Sequence, residues 1–513
     1  MIQRMLPAWT SLRSTVRSVQ TDALPLTELL TNLNLRKTSY QFLAAGKRVV
    51  EAYDSKAEDV KKNVLLDVAN SCGPEILALE NAIHVYKKNP SLVHEVREAA
   101  TPVHFRLLQS IGNLPGGIKV VCDMRAHLLY LMKTESDKSI VAALHRLERS
   151  AHELLVLWFC QSNMKLERLT WQSPGDILQK VADYEAVHPV QGMMDFKKRV
   201  GSYRRCDSKR IFPHSLVTSL FLLNLDYATG REQGGSLSLD ASLRLHRVNA
   251  LTAVLKVGKF VWCRHVYHRC FYFSHEAMPR EPLVIVHVAL LNEIADNVQS
   301  IVECDHLDCA EDECSTAIYY SITSAEPGLS GIDLGNMLIK RVATRLQSEL
   351  PSIKTHSTLS PIPGFRTWML RSLHGNSLFG LVIDDDVLEK ISQFSGKQAT
   401  SEEATRFLLE LLSDVETSKL EPWKDVLLHC CAHYLTSRRQ NGFALNPVAN
   451  FHLRNGAELY RLNWMGDTSP RGLQNSLGIM VNYRYRLERV LENSVHYTLD
   501  KRLAVHENVR SLL

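Results

Sequence analysis

The spacing of apolar residues over the first third of the chain restricts its fold more than any other feature. From about Ala23 to Cys160, Leu, Ala, Val and Ile recur three and four positions apart with charged residues between them, as in Val60–Val68. This repeat places the apolar side chains on one face of an α-helix. Turn-forming pairs such as Gly73-Pro74 separate the stretches. Residues 23–165 are therefore predicted to form an all-helical N-terminal bundle.

The residue pattern changes after Trp171. Pro282–Leu291 and Thr316–Thr323 are short runs rich in β-branched and aromatic residues, a composition typical of strands. Strands that alternate with helical stretches predict an α/β arrangement in place of a second bundle. Residues 166–513 are therefore expected to form an α/β domain, which makes the whole chain an α+β protein.

A turn-rich loop between a strand and a helix is the candidate ligand site. Gly328–Asn336 leads into Met337–Leu350, whose apolar spacing predicts a helix, and Ile353–Leu359 predicts the next strand. Gly331 and Gly335 let the backbone approach a ligand closely, and the following helix would direct free N–H groups at a pyrophosphate. A Gly-x-x-x-Gly spacing alone is a weak signal, so the prediction rests on the strand and helix around it.

The first 22 residues have a composition of their own. They contain Arg4, Arg13 and Arg17, six Ser or Thr residues, and no acidic residue before Asp22. Their apolar residues recur at helical spacing. An Arg-rich, Ser-rich amphipathic start without acids is typical of a mitochondrial transit segment, and an ordinary basic first helix is the alternative.

Overall composition excludes some classes and leaves others open. The net charge of +5 is not gathered into one long basic run, and it suits a phosphorylated ligand as well as nucleic acid. No nucleic-acid partner is predicted, because no basic cluster supports one. The 11 Cys are scattered along the chain, which favours a reduced compartment over a disulfide framework. No stretch reaches the roughly 18 apolar residues of a membrane span.

Two clusters suggest metal sites but have simpler explanations. Cys304, Cys309 and Cys314 enclose His306, yet four residues separate neighbouring cysteines, where a zinc knuckle typically has two. Loop thiols are the favoured interpretation. Asp384–Asp386 could bind Mg²⁺, but an acidic helix N-terminus is the simpler explanation. We predict no metal and no cofactor.

Six stretches taken together resemble the malonyl-CoA decarboxylase family. They are Leu166–Val190, Gly331–Val342, Thr358–Phe365, Asn446–Ala457, Leu462–Gly472 and Asn482–Glu488. The resemblance implies an all-helical N-terminal domain and a catalytic domain with the N-acetyltransferase (GNAT) fold. It also implies decarboxylation of malonyl-CoA to acetyl-CoA and CO2, and a homotetramer.

The same resemblance assigns the site residues. The family's malonyl-CoA-binding loop falls on Ser330, Gly331, Ile332, Asp333, Leu334, Gly335 and Asn336. Its catalytic serine falls on Ser360 and its catalytic histidine on His452, and both are implied to contact the substrate. His452 is implied to be the proton donor and Ser360 the proton acceptor. We expect Ser360 in a bend stiffened by proline and His452 in a separate loop.

The implied reaction suits these residue types. Loss of CO2 from malonyl-CoA leaves an enolate, whose charge spreads into the thioester carbonyl, so the protein must stabilise an oxyanion and deliver a proton. Histidine suits proton delivery, and a serine hydroxyl both donates and accepts hydrogen bonds. An acyl-CoA N-acyltransferase is the main alternative, because the GNAT fold is mostly used for that reaction. A non-catalytic CoA-binding scaffold is the third interpretation.

Two features depart from the family pattern. Residues 207–266 stand between the similar tetrapeptides Tyr203–Cys206 and Tyr267–Cys270, whereas in the family a stretch like Val200–Cys206 runs almost directly into one like Phe271–His275. This irregular insert is either a gene-model artefact, such as a translated intron, or a lineage-specific loop. The chain also ends Ser511-Leu512-Leu513, where vertebrate members end in a peroxisomal Ser-Lys-Leu signal. The mitochondrial matrix is the predicted location, with cytoplasmic or peroxisomal forms as alternatives.

Overall fold

The described part of the chain covers most of both predicted domains. The computed structural model describes residues 25–34, 36–54, 57–160, 164–185, 187–200, 267–302, 311–332, 338–375, 383 and 385–513. The predicted transit segment 1–22 and the insert 207–266 lie outside these residues, as do Cys304, His306 and Cys309. Within the described ranges, no helix is long and apolar enough to cross a membrane.

The chain divides into two compact units. The first comprises the described residues up to Met164, together with Ser274–Glu281 and the described part of Glu326–Leu334. The second comprises the described parts of Lys165–Phe273, Pro282–Ala325 and Gly335–Leu513. The loop with the predicted ligand site thus begins in the first unit, although its neighbours in sequence belong to the second.

The first unit is helical, as its apolar spacing predicts. Its helices are Leu26–Thr31, Ser39–Tyr53, Glu58–Ser71, Ile76–Lys88, Val93–Ala100, Val103–Gly112, Gly117–Thr134 and Lys138–Cys160. Apolar residues such as Leu65, Leu107 and Leu144 are completely buried. Burial of a leucine side chain contributes roughly 1.5–3 kcal/mol, so these faces hold the helices together.

The second unit is built on an eight-stranded mixed sheet. Its strands are β1 Lys165–Leu169, β2 Tyr267–Ser274, β3 Val284–Leu291, β4 Thr316–Ser324, β5 Thr355–Thr358, β6 Ser360–Pro361, β7 Glu458–Asn463 and β8 Met480–Arg484. The order is β1-β2-β3-β4-β5-β8-β6, and β7 also pairs with β8. β4 and β5 are parallel, whereas β8 is antiparallel to β5, β6 and β7. β8 therefore joins the neighbouring strands β5 and β6 to β7, which is far from them in sequence.

Helices and apolar clusters cover the sheet. The helices are Gly175–Tyr184, Met193–Val200, Gln299–Val302, Leu338–Glu349, Phe365–Leu373, Asp385–Ser395, Ser401–Ser413, Thr417–Leu420, Lys424–Thr436, Pro447–Arg454, Pro470–Ser476, Val490–Asp500 and Glu507–Arg510. Ile177, Val181 and Phe196 of the first two helices pack with Tyr272 and Ile285 of the sheet. Val284 to Leu290 are all buried, which explains why β3 is a continuous apolar run.

The predicted elements around the ligand loop are confirmed, with small shifts at their ends. The predicted strands correspond to β3 and β4, and the predicted helix is Leu338–Glu349. β5 is shorter than expected and covers only Thr355–Thr358 of the predicted Ile353–Leu359. Of the predicted acidic cluster, Asp384 lies outside the described residues, and Asp385 is the first residue of the helix Asp385–Ser395.

Candidate active site

Ser360 lies at the start of the short strand β6. Its backbone pairs with Val481 of β8, and its side chain is only 5% exposed. Pro361 and Pro363 restrict the backbone that follows, and Gly364, at φ +81°, turns the chain into the helix Phe365–Leu373. The predicted proline-stiffened bend is therefore a two-residue strand followed by a turn, and it fixes the serine at the sheet.

His452 lies in a helix, so the expectation of a loop is wrong. The helix Pro447–Arg454 begins at Asn446, whose side chain accepts a hydrogen bond from the Ala449 N–H at 2.9 Å. An asparagine cap followed by proline in the first turn is a standard start signal for a helix. The polar residues on either side of His452 favour a loop, but Asn446 caps a helix that buries one of its faces. His452 is 3% exposed and therefore belongs to its buried face.

The structure brings the two predicted residues together. The Ser360 Oγ and the His452 Nε2 are 3.2 Å apart, although 92 residues separate them in sequence. Strand β8 explains the contact, because it pairs with β6, which carries Ser360, and with β7, which follows the His452 helix. Both residues belong to the second unit.

A tyrosine completes the arrangement, and sequence analysis gave it no role. The Tyr485 hydroxyl is 2.8 Å from the His452 Nδ1, and Tyr485 directly follows β8. The ring of Tyr483 stacks on the imidazole, with centroids 4.4 Å apart and planes 23° apart. Both tyrosines lie in one of the six stretches that carry the family resemblance. Their alternate spacing was the available signal, since residues i and i+2 of a strand share a face.

The hydrogen bonds define one arrangement of protons. The Ser360 hydroxyl donates its single proton to the Thr358 Oγ1 at 2.9 Å. We therefore assign the bond between Ser360 and His452 to an Nε2–H donor, which leaves Nδ1 to accept the Tyr485 O–H. In this tautomer the imidazole presents a proton to the serine, and Tyr485 holds the ring in that state.

The site carries no charge at neutral pH. Burial lowers the pKa of His452 to about 3, because no nearby anion offsets the loss of water around the charged form. Burial also raises the pKa of Tyr485. Both groups therefore stay neutral over the physiological range, and the histidine acts as a neutral donor or acceptor of protons.

We expect kcat/KM to show no inflection near pH 6.5. The folded-state pKa of His452 lies below the ordinary value, so the folded protein keeps the imidazole neutral as pH falls through about 6.5. The unfolded chain takes up the proton first, so the contribution of His452 to stability falls between about pH 6.5 and about pH 3. A pH profile of kcat/KM, with thermal unfolding at each pH, checks both statements. An acid limb centred near 6.5 while the fold is intact would contradict the assigned environment.

The predicted ligand loop is described only at its beginning. Ser330, Gly331 and Ile332 belong to the first unit, and the remaining loop residues lie outside the described part. Those residues are Asp333, Leu334, Gly335 and Asn336. Gly331 has φ +77°, a conformation that only glycine adopts without strain.

A buried serine and histidine in contact, with a third side chain bonded to the other nitrogen of the imidazole, form an arrangement that can transfer protons in an enzyme. Two family models match this chain. Residues 72–159 match the malonyl-CoA decarboxylase N-terminal domain, and residues 162–223 and 263–513 match the malonyl-CoA decarboxylase C-terminal domain. The chain therefore belongs to the malonyl-CoA decarboxylase family. The unmatched residues 224–262 lie inside the segment interpreted as an insert.

Relatives and solved structures agree with this family. The mitochondrial malonyl-CoA decarboxylase of Anser anser anser is 37% identical over 433 residues, which are 82% of this chain and 71% of the relative. The Mus musculus protein of the same name is 35% identical over 430 residues, 82% of this chain and 72% of the relative. The crystal structure of malonyl-CoA decarboxylase from Rhodopseudomonas palustris matches with TM-score 0.71 and 25% identity. That from Agrobacterium vitis matches with TM-score 0.68 and 26% identity. Each match covers 95% of this chain and 98% of the solved chain.

Proposed function

We propose that this chain converts malonyl-CoA to acetyl-CoA and CO2. The observation that carries the proposal is the hydrogen-bonded series Ser360–His452–Tyr485, which is buried and uncharged, in a member of this family. When CO2 leaves, the electrons of the carbon–carbon bond move into the thioester carbonyl and form an enolate, which then takes one proton at carbon. The thioester is the electron sink, so the reaction requires neither a metal nor an organic cofactor.

His452 is the proton donor in this proposal, and Ser360 is the proton acceptor and the contact for the substrate carboxylate. The enolate carbon is strongly basic, so the neutral imidazole can transfer its Nε2 proton to it, and the resulting imidazolate then regains a proton from solvent. The assigned Nε2–H tautomer supports this role, because the donated proton is already on the nitrogen that faces Ser360. Tyr485 positions the ring through Nδ1. The buried site also strengthens these hydrogen bonds relative to water.

The malonyl-CoA-binding loop is proposed to be Ser330–Asn336, in a catalytic domain of the GNAT fold. The positive φ of Gly331 supports a loop whose backbone comes close to a ligand. The helix Leu338–Glu349 begins just beyond the loop, and its N-terminal N–H groups favour an anion such as the pyrophosphate of CoA.

Gly335→Asp is expected to raise KM for malonyl-CoA at least about tenfold and to leave kcat close to that of the wild type. The substitution adds bulk and negative charge where the pyrophosphate is proposed to bind, and like charges side by side are strongly unfavourable. Steady-state kinetics on malonyl-CoA measure the effect. Gly175→Asp is the matched control, because Gly175 is exposed with open space around its Cα and starts a helix. An unchanged KM in Gly335→Asp would remove the loop from the binding site.

An acyl-CoA N-acyltransferase is the alternative for a domain of this fold. That reaction transfers the acyl group to an amine and releases free CoA, whereas decarboxylation retains the thioester. Incubation of the purified protein with malonyl-CoA, with and without a panel of primary amines, separates the two. We expect CO2 and acetyl-CoA in equal amounts, independent of amine. Acylated amine and free CoA as the products would establish the alternative, and no reaction in either case would favour a scaffold.

We also propose that the protein is a homotetramer. The helix Ile76–Lys88 supports assembly, because Ile76 and Leu77 are more than two-thirds exposed and Ile83 and Tyr86 more than one-third. Clustered exposed apolar residues are typical of interaction surfaces.

The proposed compartment is the mitochondrial matrix, with cytoplasmic or peroxisomal forms as alternatives. The two relatives named above carry a mitochondrial designation, which supports this proposal.

A further inference from the structure

Arg125 is a buried cation in the first unit. It lies on the helix Gly117–Thr134, and its side chain is nearly inaccessible to solvent. One edge of the guanidinium faces Glu148 of the helix Lys138–Cys160, with both Nε and Nη2 at 2.9 Å from the same carboxylate oxygen. Such a pair satisfies the charge of Arg125 and uses only part of its five N–H donors.

The remaining nitrogen of the guanidinium, Nη1, contacts the backbone where the ligand loop begins. Nη1 donates to the carbonyl oxygen of Gly328 and to that of Ser330, the latter at 2.9 Å. Ser330 is the first residue of the proposed malonyl-CoA-binding loop. Hydrogen bonds from a charged donor are about twice as strong as neutral ones, so Arg125 fixes this part of the backbone.

Two further contacts hold the same segment against the same helix. Lys119 forms an ion pair with the buried Glu326 at 3.2 Å. Gly328 packs so closely on Cys122 that a Cβ atom would lie 1.9 Å from the Cys122 carbonyl oxygen. Lys119, Cys122 and Arg125 are spaced by three residues, which places them on adjoining positions of one helix face. This face is therefore shaped to receive residues 326–330.

We propose that Arg125 is a positioning residue for malonyl-CoA binding, which it supports by fixing the backbone of Gly328 and Ser330 before the substrate arrives. The proposal rests on the proposed function, because it takes Ser330 as the first residue of the binding loop. Fixing a backbone costs conformational entropy, and a segment that is already fixed does not lose that entropy on binding. Arg125 does not touch the reacting atoms in this proposal, so its loss should raise KM and leave kcat unchanged.

The test separates this role from simple support of the helical unit. Arg125→Met with Glu148→Gln removes the tether without leaving a buried carboxylate unpaired. Glu148→Gln alone weakens the contact between the helices but keeps both carbonyl bonds of Arg125. We expect the double variant to raise KM for malonyl-CoA about tenfold with kcat within about twofold. Glu148→Gln should lower the melting temperature and leave KM near the wild-type value, and Arg125→Lys should give an intermediate KM.

Hydrogen exchange of the full chain tests the tether without catalysis. Backbone amides of residues 328–332 should exchange faster in the double variant than in Glu148→Gln, whereas the helix Gly117–Thr134 should be equally protected in both. Arg149→Met, on the exposed side of the Glu148 helix, is the matched control and should change neither exchange nor KM. Unchanged loop exchange, or equal KM values in Glu148→Gln and the double variant, would overturn the inference. Failure of the wild type to consume malonyl-CoA would instead reject the proposed function, and the exchange experiment would still report on the tether.

Discussion

His452→Ala is expected to lower kcat for malonyl-CoA decarboxylation by about 10²–10⁴-fold, the usual contribution of a positioned acid. KM should change far less, because the proton is needed in the transition state more than in the bound substrate. The assigned tautomer gives the reason: His452 is the residue whose N–H points at Ser360, and the neighbouring tyrosines cannot replace it. Steady-state kinetics with a coupled acetyl-CoA assay measure the loss.

A matched control separates catalysis from packing in this experiment. His374→Ala removes an exposed histidine whose ring bonds to the carbonyl oxygen of Leu370 in the preceding helix, and it should keep wild-type turnover. Thermal unfolding of His452→Ala shows whether the cavity left by the buried ring destabilises the fold. A folded His452→Ala protein with turnover near that of the wild type would exclude His452 as the proton donor.

Ser360→Ala is expected to lower kcat by about a hundredfold and to weaken substrate binding as well. Its hydroxyl is proposed to touch the malonyl carboxylate before reaction, so its removal affects both the bound substrate and the transition state. Loss of the hydroxyl also leaves the His452 Nε2–H without its partner, which costs about 1–3 kcal/mol when the group is buried. Kinetics and melting temperature are measured together, with Ser348→Ala as the control on an exposed serine.

The double variant tests whether the two residues act as a unit. Members of one catalytic arrangement are strongly non-additive, so Ser360→Ala combined with His452→Ala should be about as slow as His452→Ala alone. Multiplication of the two individual losses would mean that the residues act independently. Their 3.2 Å contact would then be structural, and the proposed proton path would be wrong.

Sequence patterns predict the parts of this fold that depend on near neighbours. Apolar residues three and four apart identify the helical unit, and the run that became β3 identifies a buried strand. The helix Pro447–Arg454 is not predicted, although Asn446 and Pro447 are a standard start signal, because the polar residues around His452 favour a loop.

The spacing of residues in the sequence does not predict the active site. Ser360 and His452 are 92 residues apart and meet because β6 and β7 both pair with β8, a register set by the whole sheet. The family resemblance suggested the pair, whereas periodicity alone would have left Ser360 as an ordinary turn residue. Arg125 and Gly328 are 203 residues apart in sequence, and no local sequence pattern predicts their contact.

Under the proposed function, this chain removes CO2 from malonyl-CoA and returns one proton to carbon. The most direct measurement uses malonyl-CoA labelled with ¹³C in its free carboxyl group, incubated in D2O with the purified wild-type protein. We expect labelled CO2 and acetyl-CoA in equal amounts, with one solvent deuterium in each acetyl group. Malonate and free CoA as the products would instead show thioester hydrolysis by the serine and histidine, and would contradict the proposed function.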